Sequence, residues 1–267
     1  MRLDGCVALV TGAGSGIGQA LAVELARRGA RPILLGRNAA ALEATRALLA
    51  EPAQAWVLPL DLADEDQRAS LFSRVMETAG RLDLLVNNAG MVAAGPLQAQ
   101  DDTGWRAMLE LNVLAPMSIT RNLLPLLRGS GQGRVVNVGS MFGDIAFPYF
   151  AAYSASKFAL RGWSEGLRRE LADQGVGVTY CAPRGTRTPA ADGFAAYAQA
   201  FAMRLDPPAV VARRIVDGIA RDARDVYPVG PERVFLLLQR LVPALVDGGV
   251  RGQMRKASRL LVRFLSA

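Results

Sequence analysis

Tyr153 and Lys157 stand four residues apart in AAYSASKFAL, residues 151–160, and Lys157 is one of only two lysines among 31 basic residues. On a helix, side chains at i and i+4 share one face. A free phenol titrates near 10 and moves protons poorly at neutral pH. A neighbouring ammonium favours the phenolate and lowers that value. A shift of about three units corresponds to roughly 4 kcal/mol, within reach of a partly desolvated cation aided by a second positive charge. Lysine suits the task better than arginine, because a compact ammonium fits beneath a phenol where a planar fork does not. The pair reads as a general acid–base and its tuning cation. The plain alternative is an incidental surface lysine.

A second stretch has its own chemistry. Thr11-Gly12-Ala13-Gly14-Ser15-Gly16-Ile17-Gly18 follows an apolar strand-like run and opens a helical one. Glycines permit a tight turn and close approach of backbone to a pyrophosphate, and the following helix offers free N–H groups to the anion. Gly18 would let helix and strand pack closely. The spacing is a variant of the usual dinucleotide fingerprint. After the second strand comes Gly36-Arg37-Asn38 rather than an acid. An acidic side chain here would serve the ribose 2′-hydroxyl of NAD, whereas Arg37 suits the 2′-phosphate of NADP. NADP is therefore expected over NAD, although Ser15 stands where some NADP enzymes carry a second cation. Asp61 and Leu62 could offer a carboxylate and a backbone N–H to an adenine edge. An ordinary helix-entry aspartate fits Asp61 nearly as well.

Other chemistries are excluded by composition. The chain has no histidine, so histidine bases, Ser-His-Asp triads and histidine metal sites are impossible, and no metal site is expected. Cys6 and Cys181 lie in apolar runs and read as small core residues. The net charge is +7, of which residues 240–267 carry +5 from six basic residues and one acid. The basicity belongs to the tail, and no nucleic-acid partner is expected.

These groups need a scaffold. Apolar strand candidates at 6–11, 32–36, 55–60, 82–87, 133–139, 176–182 and 225–229 alternate with helix-period segments at 16–29, 38–50, 64–79, 102–127, 150–174 and 206–222. Asp64 is positioned to cap the third helical segment. Strands apolar throughout imply burial on both faces, and strand-helix alternation implies a parallel sheet between helical layers. The expected fold is α/β, a Rossmann-like doubly wound parallel sheet of about seven strands. Residues 1–230 form the catalytic domain, and 231–267 form a helical extension packed on it or on a partner. No apolar stretch is long enough to span a membrane, and no apolar signal region leads the chain, so a cytoplasmic protein is expected.

Taken together the motifs resemble the short-chain dehydrogenase/reductase family over about residues 4–230. The resemblance rests on TGAGSGIG at 11–18, NNAG at 87–90, Asn112 in LELNVL, Ser140 at the end of the fifth strand, YSASK at 153–157 and the proline-led turn at 183–188. It implies that Tyr153 is the general acid–base and that Lys157 binds the nicotinamide ribose and lowers the tyrosine pKa. Ser140 then polarises the substrate carbonyl, and Asn112 holds a water that relays protons from Lys157. It also implies that Asn87, Asn88, Ala89 and Gly90 lie beside the cofactor, and that Pro183 and Thr188 reach the nicotinamide end. Each role suits hydride exchange with a carbonyl, whose oxygen needs a proton donor and a hydrogen-bond partner at once. One departure stands out: Pro183-Arg184 replaces the family's Pro-Gly. Arg184 near the mouth could tighten cofactor binding, meet an acidic substrate group, or point to solvent.

Met91, Val92, Met141, Phe142, Phe147, Tyr149, Phe150, Phe194, Tyr197 and Phe201 follow the fourth to sixth strands, where ligands sit in such sheets. They suggest a small-molecule substrate that is a bulky apolar carbonyl or alcohol, lipid-like, steroid-like or aromatic, unless about half of them are core; 189–205 could form a mobile lid. The basic, apolar tail could close the pocket, pack on a partner or contact an anionic membrane peripherally; packing is favoured. The resemblance also implies that helices at 102–127 and 150–174 pair across a two-fold axis into a homodimer or homotetramer. The competing function is a non-catalytic NADP(H)-binding sensor or scaffold, against which the complete catalytic set argues.

Overall fold

A computed structural model describes the backbone of residues 1–230 and 232–265, and the side chains there except those of 232, 233, 259 and 261–265. Seven strands form one sheet: β1 (Val7–Thr11), β2 (Arg31–Gly36), β3 (Trp56–Pro59), β4 (Leu84–Asn87), β5 (Arg134–Val138), β6 (Gly177–Cys181) and β7 (Asp225–Val226). Their order is β3-β2-β1-β4-β5-β6-β7, and every pairing is parallel. The chain winds one way from β1 to β3, then crosses back to β4 and continues on the other side. The carboxyl ends of β1 and β4 thus diverge, which is where open parallel sheets leave a crevice for ligands.

Between the strands run α1 (Gly16–Arg27), α2 (Ala39–Ala47), α3 (Glu65–Ala69), α4 (Leu71–Ala79), α5 (Asp102–Leu109), α6 (Ala115–Gly129) and α7 (Ala151–Glu170). After β6 come α8 (Pro189–Asp192), α9 (Ala195–Ala200) and α10 (Pro208–Ala220), and after β7 come α11 (Glu232–Leu241) and α12 (Pro243–Leu265). All five β1 residues are buried because alternate side chains serve two cores. Ala8 and Val10 pack with Leu21, Leu25 and Ile215 from α1 and α10. Val7 and Leu9 pack with Val75, Ile119 and Leu123 from α4 and α6 on the opposite face.

Two helical segments differ from the sequence expectation. The 64–79 segment is two helices, with Asp64 capping the first through the Gln67 N–H at 3.1 Å, as its position suggested. The 102–127 segment is broken by a π-turn at Glu110–Leu114, which joins α5 to α6 and contains Asn112. Such wide turns are rare in helices and concentrate at functional sites. The 189–205 segment is also more ordered than a lid loop, forming α8 and α9.

The tail folds back onto its own chain. Ala257 of α12 is fully buried against Phe150, Tyr197 and Ala200, and Leu236 of α11 packs on Met141, Tyr180 and Tyr227. Val234, Leu237 and Leu241 of α11 face outward. Among the described residues, no helix is long and apolar enough to cross a membrane.

Candidate active site

The turn after β1 is shaped for an anion. Gly12 and Gly16 adopt left-handed backbone, at φ +67° and +55°, where a side chain would strain the chain. A Cβ at Gly18 would lie 2.1 Å from the Gly12 carbonyl oxygen, so only glycine lets α1 approach this closely. Ser15 precedes α1 but makes no side-chain cap, which leaves the first-turn N–H groups and the positive end of the helix dipole to an incoming group. Thr188 closes the other side, with its methyl 2.9 Å from where a Gly16 Cβ would stand.

A cleft of about 620 Å³ runs from this turn across the carboxyl ends of the strands. Gly12, Ser15, Gly16, Ile17, Arg37, Asp61 and Leu62 line one half; Asn88, Ala89, Gly90, Pro183 and Thr188 line the middle. Gly14 and Gly18 do not line it. Gly14 instead lies against Ala41 of α2, and Gly18 against Gly12, so both support the turn from behind. Arg37 is exposed at the rim and makes no hydrogen bond or ion pair with the described residues. Asp61 lines the cleft while its carboxylate accepts from the Ala63 N–H at 3.0 Å, so the helix-entry role is present too.

Thr11 carries a role that no local pattern announces. Its hydroxyl accepts from the Asn88 and Ala89 N–H groups, both at 2.9 Å, and the Asn88 amide donates to the Thr11 carbonyl at 2.9 Å. Two strand ends that border the cleft are thereby locked together. Behind them Asn87 donates to Asn137 at 2.9 Å and to Thr120 at 3.1 Å, a buried polar bridge between β4, β5 and α6.

Ser140, Tyr153 and Lys157 all open onto the cleft. Ser140 leaves the end of β5 in extended conformation, and its hydroxyl oxygen accepts from the Phe142 N–H at 3.1 Å. That bond occupies an oxygen lone pair and leaves the hydroxyl hydrogen free to donate. Tyr153 and Lys157 lie one turn apart on α7, with the ammonium 5.7 Å from the centre of the phenol ring. Lys157 donates to the Val138 carbonyl at 3.2 Å. Burial pushes Tyr153 up to about 12, opposed by its hydrogen bond with Ser140. Burial pulls Lys157 down to about 8. In the protein alone, desolvation therefore sets the direction of the Tyr153 shift; the lowering expected from the sequence involved the positive charge of a bound cofactor as well.

Asn112 stands behind the cleft rather than in it. Its oxygen accepts from the Met91 N–H at 2.9 Å, and its amide donates to the Met91 carbonyl at 2.9 Å and to the Ser156 hydroxyl at 3.0 Å. Both amide hydrogens are committed to protein. The π-turn aims this side chain at the segment after β4 that carries Gly90, where a Cβ would come within 2.9 Å of the Asn112 oxygen.

The far half of the cleft is apolar. Met91, Val92, Met141, Phe142, Phe147, Phe150 and Phe194 line it, as expected. Tyr149, Tyr197 and Phe201 do not; they form the layer behind, with Tyr149 5.2 Å from Tyr197 and Phe201 4.9 Å from Phe147 between ring centres. Met203 and Arg204 also line the cleft, which no periodicity in that irregular segment announced.

Arg184 lines the cleft, and its guanidinium is held by protein rather than turned to solvent. It is half-buried and donates through Nε to Asp206 at 2.9 Å, with Arg214 on the same carboxylate oxygen at 3.3 Å. The partner lies 22 residues away, beyond reach of any local pattern. Backbone bonds from Arg187 to Asp206 at 2.9 Å and from Asp206 to Gly185 at 2.8 Å accompany the pair. Together they clasp the two ends of the segment that holds α8 and α9.

The groove fits a dinucleotide: a glycine cradle that a Cβ would fill, a helix end for a pyrophosphate, and an exposed guanidinium beside Gly36. Among the described residues no cluster of metal-binding side chains occurs. Residues 6–197 match the family described as short chain dehydrogenase. A dehydrogenase/reductase SDR family protein 7-like from Anopheles gambiae is 33% identical over 260 residues, covering 91% of this chain and 81% of that protein. A short-chain dehydrogenase/reductase from Burkholderia phymatum in complex with NAD superposes with a TM-score of 0.84, at 26% identity over 92% of this chain and 96% of that one. The Pseudomonas aeruginosa RhlG/NADP active-site complex superposes with a TM-score of 0.78, at 32% identity over 85% of this chain and 96% of that one.

Proposed function

Because this chain belongs to the short chain dehydrogenase family, we propose that it is an NADP(H)-dependent oxidoreductase acting between a carbonyl and a secondary alcohol on an apolar substrate. The observation that carries this reading is the convergence on one cleft of the glycine turn with Ser140, Tyr153 and Lys157. When bound, the nicotinamide supplies or accepts hydride at its C4 carbon. Tyr153 gives a proton to the substrate oxygen in reduction and takes it back in oxidation. Ser140, held by the Phe142 N–H, donates its hydroxyl hydrogen to the same oxygen and stabilises charge developing there. Lys157 would hold the ribose hydroxyls of a bound nucleotide, and its ammonium would favour the Tyr153 phenolate from one turn away. Asn112 holds Met91 and Ser156, and so ties the Gly90 segment to α7, the helix that carries Lys157.

The NADP reading rests on Arg37, exposed at the rim without an ion pair among the described residues, and on the absence of an acid at 36–38. The Burkholderia phymatum neighbour carries NAD and the Pseudomonas aeruginosa one NADP, so relatives do not choose between them. The apolar substrate rests on the phenylalanine-lined half of the cleft. Oxidation of NADPH and NADH with a panel of apolar ketones tests the whole reading. Turnover with NADPH supports it, and a folded, cofactor-binding protein that reduces none of them contradicts it.

We also infer homo-oligomers formed through α5, α6 and α7, where Leu109, Leu114, Met117 and Phe158 are exposed. Sedimentation of a single monomeric species would reject this. The tail is read as packing on its own chain, with peripheral contact to an anionic membrane as the alternative. Equal co-sedimentation with anionic liposomes, with and without residues 231–267, would dismiss the membrane.

A further inference from the structure

Tyr180 lies in β6, is fully buried, and does not line the cleft. Its hydroxyl donates to the Ser140 carbonyl at 3.2 Å and stands 3.5 Å from the Ser140 N–H as acceptor. Burial pushes its ionisation well above the ordinary phenol value, so the hydroxyl stays protonated and remains a donor. Met141, Ala182, Tyr227 and Leu236 pack around the ring.

The turn that carries Ser140 is built around this one side chain. A Cβ at Gly139 would lie 2.3 Å from the phenol oxygen, and one at Gly143 would lie 2.6 Å from it. The Gly143 position also backs onto the Lys157 carbonyl oxygen, 2.7 Å from such a Cβ. The residues flanking Ser140 are tied to β6 through main chain: the Gly139 N–H donates to Cys181 at 2.7 Å and the Met141 N–H to Pro183 at 3.0 Å. Ser140 itself is reached from β6 only by the Tyr180 hydroxyl among the described hydrogen bonds. A larger residue at 139 or 143 and the phenol exclude each other, so ring and glycines act as one fitted unit.

We propose that Tyr180 is a positioning residue: its hydroxyl fixes the Ser140 backbone so that the Ser140 hydroxyl meets the Tyr153 phenol and the substrate oxygen in a single geometry. It touches neither substrate nor cofactor and acts through Ser140 alone. This rests on the role given to Ser140 above. Small displacements matter here, since a misplacement of about 1 Å can cost about 100-fold in rate.

Tyr180→Phe tests it, because the ring that fills the space is kept and only the hydroxyl is lost. The full-length variant is expected to lose about tenfold in kcat, with KM for NADPH changed less than about twofold. The apparent pKa of Tyr153 in the kcat profile should rise, because the Ser140 hydrogen bond lowers it. Ser140→Ala should cost about 100-fold or more, and adding Tyr180→Phe to it should change kcat less than about twofold. A Tyr180→Phe protein with lowered Tm but unchanged kcat and pH profile would overturn the inference. So would losses that multiply fully in the double variant. If the wild-type protein turns over no carbonyl with either nucleotide, the proposed function has failed. If it is active and Tyr180→Phe matches it, only this inference has failed.

Discussion

Lys157 holds its ammonium 5.7 Å from the centre of the Tyr153 ring while donating to the Val138 carbonyl at 3.2 Å. The cation is thus stored beside the phenol on a main-chain acceptor, one helical turn from the group it serves. Its burial lowers it to about 8, and burial raises the tyrosine to about 12. A neutral Lys157 leaves Tyr153 a weaker acid. In the reductive direction, kcat/KM for NADPH reports the free enzyme and should fall as pH rises through about 8. Lys157→Arg should move that limb above pH 10, at lower overall activity. A wild-type profile flat from pH 7 to 10 would contradict the arrangement.

The same burial makes Lys157 costly to stability. Its folded pKa of about 8 lies below the model-peptide value of 10.5, so the unfolded chain binds the extra proton between those values. The penalty is full below about pH 8 and disappears as pH rises toward 10.5; the gap corresponds to on the order of 3 kcal/mol at most. Lys157→Met should therefore be inactive yet melt higher than wild type at pH 7, with the difference shrinking above pH 8. Equal or lower Tm at pH 7, measured without nucleotide, would show that the buried amine is not under strain.

Arg37→Ala separates the two nucleotides. Losing one guanidinium facing a 2′-phosphate should raise KM for NADPH about 10- to 100-fold, as removal of a charge-assisted contact of about 1.5–3 kcal/mol does. KM for NADH should change by less than about twofold. Equal effects on both would assign Arg37 to the surface and return the cofactor preference to NAD.

The tail should contribute to the substrate end of the cleft. Ala257 is fully buried against Phe150, Tyr197 and Ala200, and Phe150 lines the cleft. Ala257→Glu places a carboxylate in that dry contact and should cost about 2–4 kcal/mol if it stays folded there. Alternatively α12 lifts away, and KM for the ketone rises while KM for NADPH holds. Unchanged Tm and unchanged ketone KM together would show that α12 does not seal this layer.

Much of this was legible in the residues. All seven strands begin and end within a few residues of their apolar runs, because a strand buried on both faces must be apolar throughout. Motifs at strand ends were equally readable, since glycine, serine and asparagine there answer to local backbone geometry. What escaped depends on distance or on backbone irregularity. The π-turn at Asn112 continues an unbroken helical periodicity, and nothing in LELNVL marks the change of pitch. Arg184 finds Asp206 across 22 residues, and Thr11 meets Asn88 across 77. The upward push on Tyr153 in the protein alone is not legible either, because charge proximity can be read from spacing, whereas desolvation requires the surrounding walls.

In the proposed function a phenol and an ammonium on one helical face do acid–base chemistry beside a bound nicotinamide. Tyr153→Phe tests it most directly, because only one oxygen is removed from a side chain at the cleft wall. NADPH affinity, followed by nucleotide fluorescence, should stay within about threefold, while ketone reduction falls by about 1,000-fold or more. A Tyr153→Phe protein that binds NADPH and still turns over within tenfold of wild type would contradict the claim.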